Sequence, residues 1–179
     1  MYWLDEAKEL ALYNWVSSKL GIATIWDKSN APRPALPYAT LNFSSGVRSE
    51  GNPEELYKGL DTFSYPLRKI ITLTVQVFAE NAHLAYIDSL INSLAMPTVQ
   101  DSIRAAGFAI RGHSDPMDIS RLLDTKFELR AAVDFFFAYA IEADDIPGEI
   151  QYVTITEGVF SADGVIDTYI FNDLDIDAT

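Results

Sequence analysis

Two carboxylates on one face of a long alternating segment are the first candidates for catalysis. Glu128 and Asp134 both lie on the polar face of the segment from Phe127 to Tyr139. In an extended strand their spacing places the two side chains about 20 Å apart. A glycosidase pair needs carboxyl groups roughly 5 to 10 Å apart, so these two residues do not form such a site. The pattern instead predicts a surface or interface ion pair between Glu128 and Arg130, which are neighbours on the same face.

Other side chains with catalytic or metal-binding potential are poorly spaced for it. His83 and His113 lack the spacing of paired metal ligands. The C-terminal sequence Asp173-Leu-Asp175-Ile-Asp177 begins like a calcium loop, but the glycine and the closing glutamate of an EF-hand are missing. The chain also has no phosphate-binding glycine loop and no nucleophile elbow. We therefore expect no catalytic residue, no metal site and no cofactor.

A catalytic site could still form from carboxylates that only the fold brings together. Asp118, Glu128 and Asp134 are the residues available for such a hydrolase site. Nothing in the spacing of these three residues favours a hydrolase site. The distances between their side chains in the folded protein test this alternative.

The composition describes an ordinary soluble domain. The chain has 179 residues, of which 49% are hydrophobic, and this is enough for one domain with a substantial core. It has no apolar run long enough to span a membrane, and Asp5 and Glu6 stand where a signal peptide would carry positive charge. Because the chain has no cysteine, disulfides are excluded, in agreement with a reducing compartment.

The hydrophobic periodicity predicts helices and strands in a definite order. The first half should contain a helix from Asp5 to about Leu20 that ends at Gly21, strands from Ile22 to Trp26 and from Tyr38 to about Val47, a long loop or irregular hairpin from Ser49 to Tyr65, and a strand from Lys69 to Ala79. The second half should contain a helix capped by Asn81, a helix from Pro97 to Gly107, a strand from Phe108 to His113, a helical or turn segment from Met117 to Asp124, a central strand from Phe127 to Tyr139 and a strand from Ile150 to Thr156. The two middle helices should cover one side of the sheet, so we expect an α+β fold.

A proline-rich segment joins the first two strands. Asn30 to Tyr38 contains three prolines, and each proline restricts its own backbone and that of the residue before it. We call this segment the proline connector. It must be stiff and non-helical, which suits a surface for assembly with other proteins, although a loop that merely turns the chain would have the same composition.

The negative charge is concentrated at the C-terminus. The formal net charge is −13 overall, yet Glu142 to Thr179 contains ten acids and no Lys or Arg. This segment repels phosphate backbones, so tight DNA binding through it is not expected. The last residues also contain apolar groups, which predicts an arm that docks either on its own domain or on another subunit. A rival function is an acidic inhibitor or DNA mimic that binds a basic partner.

Several segments together resemble the phage neck terminator family, which comprises tail-terminator-like proteins of long-tailed bacteriophages and prophages. They are Ile25-Trp26-Asp27 followed by the proline connector, the strand from Thr72 to Phe78, Leu123-Asp124-Thr125, and Phe127-Glu-Leu-Arg-Ala-Ala-Val-Asp134. The resemblance extends from about Trp26 to Thr156. The resemblance does not extend to Phe160–Thr179.

The resemblance implies a mixed, mostly antiparallel sheet beside helices and a structural protein without an enzymatic site. Such a protein caps the head-proximal end of the tail tube, ends tube polymerisation and joins the tail to the head connector. It commonly acts as a homo-hexameric ring whose partners are the tail tube protein and a neck or connector protein. Genome DNA would pass the ring without specific binding, and no membrane is involved. The expected location is the tail-neck junction of the virion, after assembly in the host cytoplasm.

We expect residues 1–159 to form a single α+β domain and residues 160–179 to form the acidic C-terminal arm. We predict that contacts with other protein subunits are made by Arg33, Pro34 and Tyr38 in the proline connector, Arg68 and Lys69 in the long strand, and Tyr169 and Phe171 in the acidic arm.

Overall fold

The computed structural model describes residues 4–28, 32–44, 46–51, 56–59, 62–123 and 126–145. Within them the chain forms three helices and nine strands. The helices are α1 (Glu6–Leu20), α2 (His83–Ser93) and α3 (Pro97–Ala105). The strands are β1 (Ala23–Trp26), β2 (Tyr38–Phe43), β3 (Arg48–Glu50), β4 (Leu56–Gly59), β5 (Thr62–Ala79), β6 (Phe108–His113), β7 (Met117–Asp118), β8 (Arg121–Leu123) and β9 (Lys126–Asp145).

The sheet is built around two long antiparallel strands. β5 and β9 pair continuously, from Ala79 opposite Leu129 to Phe63 opposite Asp145. The strand order is β1-β2-β5-β9-β6, with β3 and β4 also paired to β5, and β7 and β8 also paired to β9. β1 and β2 are parallel, and the other described pairs are antiparallel. The fold is therefore α+β with a mixed, mostly antiparallel open sheet, as predicted.

The core lies between the helices and one face of this sheet. Alternate side chains of β5 and β9 are fully buried there, namely Ile71, Leu73, Val75, Val77, Ala131, Val133, Phe135 and Phe137. Trp15 of α1 packs edge-on against the Phe135 ring, with ring centroids 5.0 Å apart. Its indole Nε1 donates a hydrogen bond of 3.0 Å to Ser93 Oγ on α2. The period-two alternation of the sequence thus correctly identifies the central strand and its buried face.

The signals at the ends of the helices explain where they begin and end. Asp5 accepts a hydrogen bond from the Ala7 backbone and caps α1, as predicted. Gly21 ends this helix in the left-handed conformation, with φ of 63°. Pro97 begins α3, where its missing N–H needs no helical partner. The expectation that Asn81 caps α2 is wrong, because Ala82 takes the cap position and makes no side-chain hydrogen bond.

Three further expectations about the strands need correction. The long strand begins at Thr62 rather than Lys69, because β9 continues far enough to pair with it. The segment expected to be helical or a turn forms β7 and β8 in its described part, Met117 to Leu123, and both strands pair with β9, because pairing overrides the weak local preference. The second strand ends at Phe43, not near Val47. The expected strand from Ile150 to Thr156 lies outside the described residues, as does the acidic arm.

Candidate functional site

The proline connector is fastened to the sheet through one arginine. Tyr38 of β2 lies opposite Phe78 of β5, and their rings stack with centroids 4.6 Å apart. The Arg33 guanidinium lies 5.5 Å from the Tyr38 ring centroid and 5.1 Å from that of Phe78. Its Nε also donates a hydrogen bond to the Tyr38 hydroxyl. Arg33 of the connector therefore rests on a pair of stacked, buried aromatic rings.

Glu128 of β9 completes this arrangement on the polar face of the sheet. One of its carboxylate oxygens accepts a hydrogen bond of 2.8 Å from Arg130 Nε, and the other lies 3.2 Å from Arg33 Nη2. Arg130 also lies over the Phe78 ring, 4.8 Å from its centroid. The predicted ion pair between Glu128 and Arg130 forms, but both side chains are largely buried rather than at the surface. We call Arg33, Tyr38, Phe78, Glu128 and Arg130 the connector clamp.

Burial sets the electrostatics of the connector clamp. Tyr38 is only 2% exposed, and this burial raises the pKa of its phenol above the ordinary value, while the nearby Arg33 charge opposes part of the rise. The side chains of Glu128 and Arg130 are 12% and 13% exposed, whereas that of Arg33 is 55% exposed. The clamp therefore has a buried ion pair at its base and one charged side chain at the surface.

The residues predicted as interface contacts fall at separate places. Arg33 and Pro34 lie at the surface near the connector clamp, with Tyr38 beneath them. Arg68 and Lys69 are about 30 Å away along β5, in the middle part of the strand. Arg68 is exposed, whereas Lys69 donates a hydrogen bond of 2.7 Å to Ser49 Oγ.

Tyr169 and Phe171 lie outside the described residues, and their role as interface contacts stays a prediction. The role of the other five residues as interface contacts also stays a prediction.

An exposed apolar pair is the feature that the sequence did not reveal. Leu122 of β8 lies opposite Phe127 of β9, and their side chains are 57% and 69% exposed. Met117 and Ile119 are also exposed, but they lie opposite Ala132 and Arg130, on the other face of the sheet. The alternating pattern assigned Phe127 to the same face as the core residues, but β9 extends beyond the helices that cover this face. We call Leu122 and Phe127 the hairpin patch.

The three carboxylates of the hydrolase alternative have separate partners. Glu128 belongs to the connector clamp, and Asp134 accepts a hydrogen bond from the Thr74 hydroxyl. Asp118 lies 3.3 Å from His83 Nε2. Hydrogen bonds from Ser120, with help from His83, hold the pKa of Asp118 below its usual value. The structure does not arrange these carboxylates around a common substrate position.

The described residues contain no cluster of three or more His, Asp or Glu side chains suited to hold a metal ion. Among the described helices, none combines the length and apolar character required to cross a membrane.

These features describe an α+β protein with one helix-covered face and an open sheet that carries charged and apolar surfaces. The family model for the Phage neck terminator protein matches residues 9–164, which is most of the chain. The chain therefore belongs to the phage neck terminator family, as the sequence resemblance predicted. A search among curated proteins finds no match. Membership places the protein at the head-tail junction of the virion, where structural proteins of the tail and head associate.

Proposed function

We propose that this protein caps the head-proximal end of the tail tube, ends its polymerisation and presents a surface to the head connector. The observation that carries the proposal is the family match over residues 9–164. The connector clamp supports it, since a rigid surface loop fixed to a sheet is suited to repeated contacts between subunits. No catalytic step belongs to this function.

We further propose that the working form is a ring of identical subunits, about six in number, joined head to tail. Such a ring needs two different complementary surfaces on each subunit. One sheet edge carries the hairpin patch, with Phe127 69% exposed. The opposite edge is β1, beside a hollow of about 470 Å³ whose lining includes Leu10, Tyr13 and Trp26. The hollow also carries Glu6 and Glu9, so the two edges present unlike surfaces, and this favours a closed ring over a two-fold dimer.

In this arrangement residues 1–159 form the domain of the ring and residues 160–179 form its acidic arm. The overall charge of −13 would let genome DNA pass the channel without specific binding, because like charges give no gain from counterion release. The neighbours of the ring would be the tail tube protein on one side and a neck or connector protein on the other. Assembly would take place in the host cytoplasm.

Solution mass tests the ring most simply. Light scattering over a concentration series, with negative-stain imaging of the heaviest species, should reveal rings of about six copies, formed either alone or after purified tail tubes are added. The variant Phe127→Asp should reduce ring formation strongly. Met96→Asp is the matched control, since Met96 is 46% exposed but lies between α2 and α3, away from both sheet edges. A protein that stays monomeric and does not bind tail tubes would contradict the proposal and favour the acidic inhibitor.

A further inference from the structure

A groove with arginines along its rim crosses the sheet face opposite the helices. Part of its floor is formed by the small side chains of Ala138 and Ala140 on β9. Two adjoining hollows of about 520 and 470 Å³ make up the groove. The first is lined by Ile70 and Phe136 among others. The arginines that line the two hollows include Arg48, Arg68 and Arg111. We call Arg48, Arg68, Arg111, Ile70 and Phe136 the arginine groove.

The positive charge of this groove is only partly balanced. Arg111 forms an ion pair with Glu50, whose carboxylate lies 2.9 Å from its Nη2. Within the described part of the chain, no carboxylate lies within ion-pair distance of Arg48 or Arg68. Both side chains are exposed, beside an apolar floor. Such a surface suits a segment that offers carboxylates and apolar side chains together.

We propose that the acidic arm of the same chain, residues 160–179, occupies the arginine groove. The arm contains five Asp and no Lys or Arg. In its last part Asp173, Asp175 and Asp177 alternate with Leu174 and Ile176. In an extended conformation the apolar side chains can face the floor while the carboxylates meet the guanidinium groups of the rim.

The length of the chain permits this docking. β9 ends at Asp145, and Arg68 of the groove pairs with Ala140, so the groove begins roughly 17 Å back along the strand. The sequence predicts a turn at Pro147-Gly148 and a strand from Ile150 to Thr156, which would return the chain by about 20 Å. The arm therefore starts near the groove of its own subunit.

A short tether between Asp145 and residue 160 gives the arm an effective concentration in the millimolar range at the groove of its own subunit. This tether favours the arm of the same chain over that of a neighbour.

Thiol-specific crosslinking of the full-length chain tests the proposal, because the natural sequence has no cysteine. The double variant Thr72→Cys with Asp175→Cys places one thiol in the arginine groove, which Thr72 helps to line, and one in the acidic arm. With a short bis-maleimide we expect a crosslink within one chain, seen as a monomer of faster mobility on a denaturing gel. The matched control is Ser102→Cys with Asp175→Cys, since Ser102 is exposed on α3 at the helical side.

The charge requirement is tested in the same double variant. Adding Arg48→Glu and Arg68→Glu should slow the crosslinking by about tenfold or more, whereas Arg121→Glu, at an exposed arginine of β8, should leave it unchanged. Thermal melting must show that each variant is folded.

The proposal is overturned if the groove pair reacts no faster than the Ser102 control or if the two reversed arginines have no effect. It is also overturned if mixed single-cysteine variants give mainly crosslinked dimers, since the arm would then bind a neighbour. None of these outcomes depends on whether the protein forms a ring or binds tail tubes, so failure here is distinct from failure of the proposed function.

Discussion

The variant Glu128→Gln should destabilise the protein more than the loss of any surface ion pair. Glu128 has two arginine partners, Arg130 and Arg33. Glutamine keeps the shape of the side chain but removes its charge, so the largely buried Arg130 loses its counter-charge. Breaking a fully buried pair costs about 3 to 5 kcal/mol. Because Arg130 is 13% exposed and keeps its contact with the Phe78 ring, we expect a cost of about 2 to 3 kcal/mol.

Arg33→Ala should cost less, because the Arg33 side chain is 55% exposed. An exposed ion pair contributes about 0.2 to 1 kcal/mol and an exposed cation–aromatic contact about 0.5 to 1 kcal/mol, so the expected loss is about 1 to 1.5 kcal/mol. The matched control is Arg104→Ala. Its ion pair with Asp101 is 67% and 74% exposed, and its loss should be close to zero.

Urea unfolding followed by tryptophan fluorescence measures these free energies, and thermal melting checks them. For a chain of this length, each kcal/mol changes Tm by about 2 to 4 °C, so Glu128→Gln should lower Tm by about 5 to 10 °C. The double variant with Arg33→Ala should lose less than the sum of the single losses, since both changes break the same contact. If Glu128→Gln is no more destabilising than Arg104→Ala, the connector clamp does not stabilise the fold and the reasoning is refuted.

Three further predictions concern the core, a helix end and alkaline pH. Ser93→Ala should cost about 1 to 3 kcal/mol in urea unfolding, because it leaves the buried indole N–H of Trp15 without its acceptor; a neutral result would contradict that hydrogen bond. Gly21→Ala should cost about 1 kcal/mol from its left-handed backbone alone, since an added Cβ meets no atom within 4 Å; a cost above about 3 kcal/mol would point to a clash instead. Burial raises the pKa of Tyr38, so the unfolded state loses its phenol proton first. Stability should therefore be fully present below pH 10 and fall above it, by up to about 1.4 kcal/mol per pH unit for this residue. Tyr38→Phe should make that decline shallower, and an unchanged slope would show that Tyr38 is not its source.

The features that the sequence predicted well rest on strong local signals. The alternation from Phe127 to Tyr139 marks the central strand, and Asp5 and Gly21 mark the ends of α1. The ion pair of Glu128 and Arg130 follows from their spacing on one strand face. In each case the residues that decide the structure are close together in the chain.

The features that the sequence missed depend on distant contacts. The start of β5 at Thr62 is set by the length of β9, which local preferences do not contain. Arg33 of the connector clamp meets Glu128 only because β2, β5 and β9 are neighbours in the sheet. Phe127 is exposed because the helices that cover this face of the sheet do not reach it. The residues near Phe127 in the sequence do not indicate where that cover ends.

The central claim is that this protein sits on one end of the tail tube. Because the chain has no cysteine, a single cysteine introduced at exposed Met96 can carry a gold label without disturbing either sheet edge. Electron microscopy of purified tail tubes incubated with the labelled protein then locates it directly. We expect label at one end only, on tubes that no longer elongate when tube protein is added. Label along the tube walls, or no label on tubes that continue to grow, would contradict it.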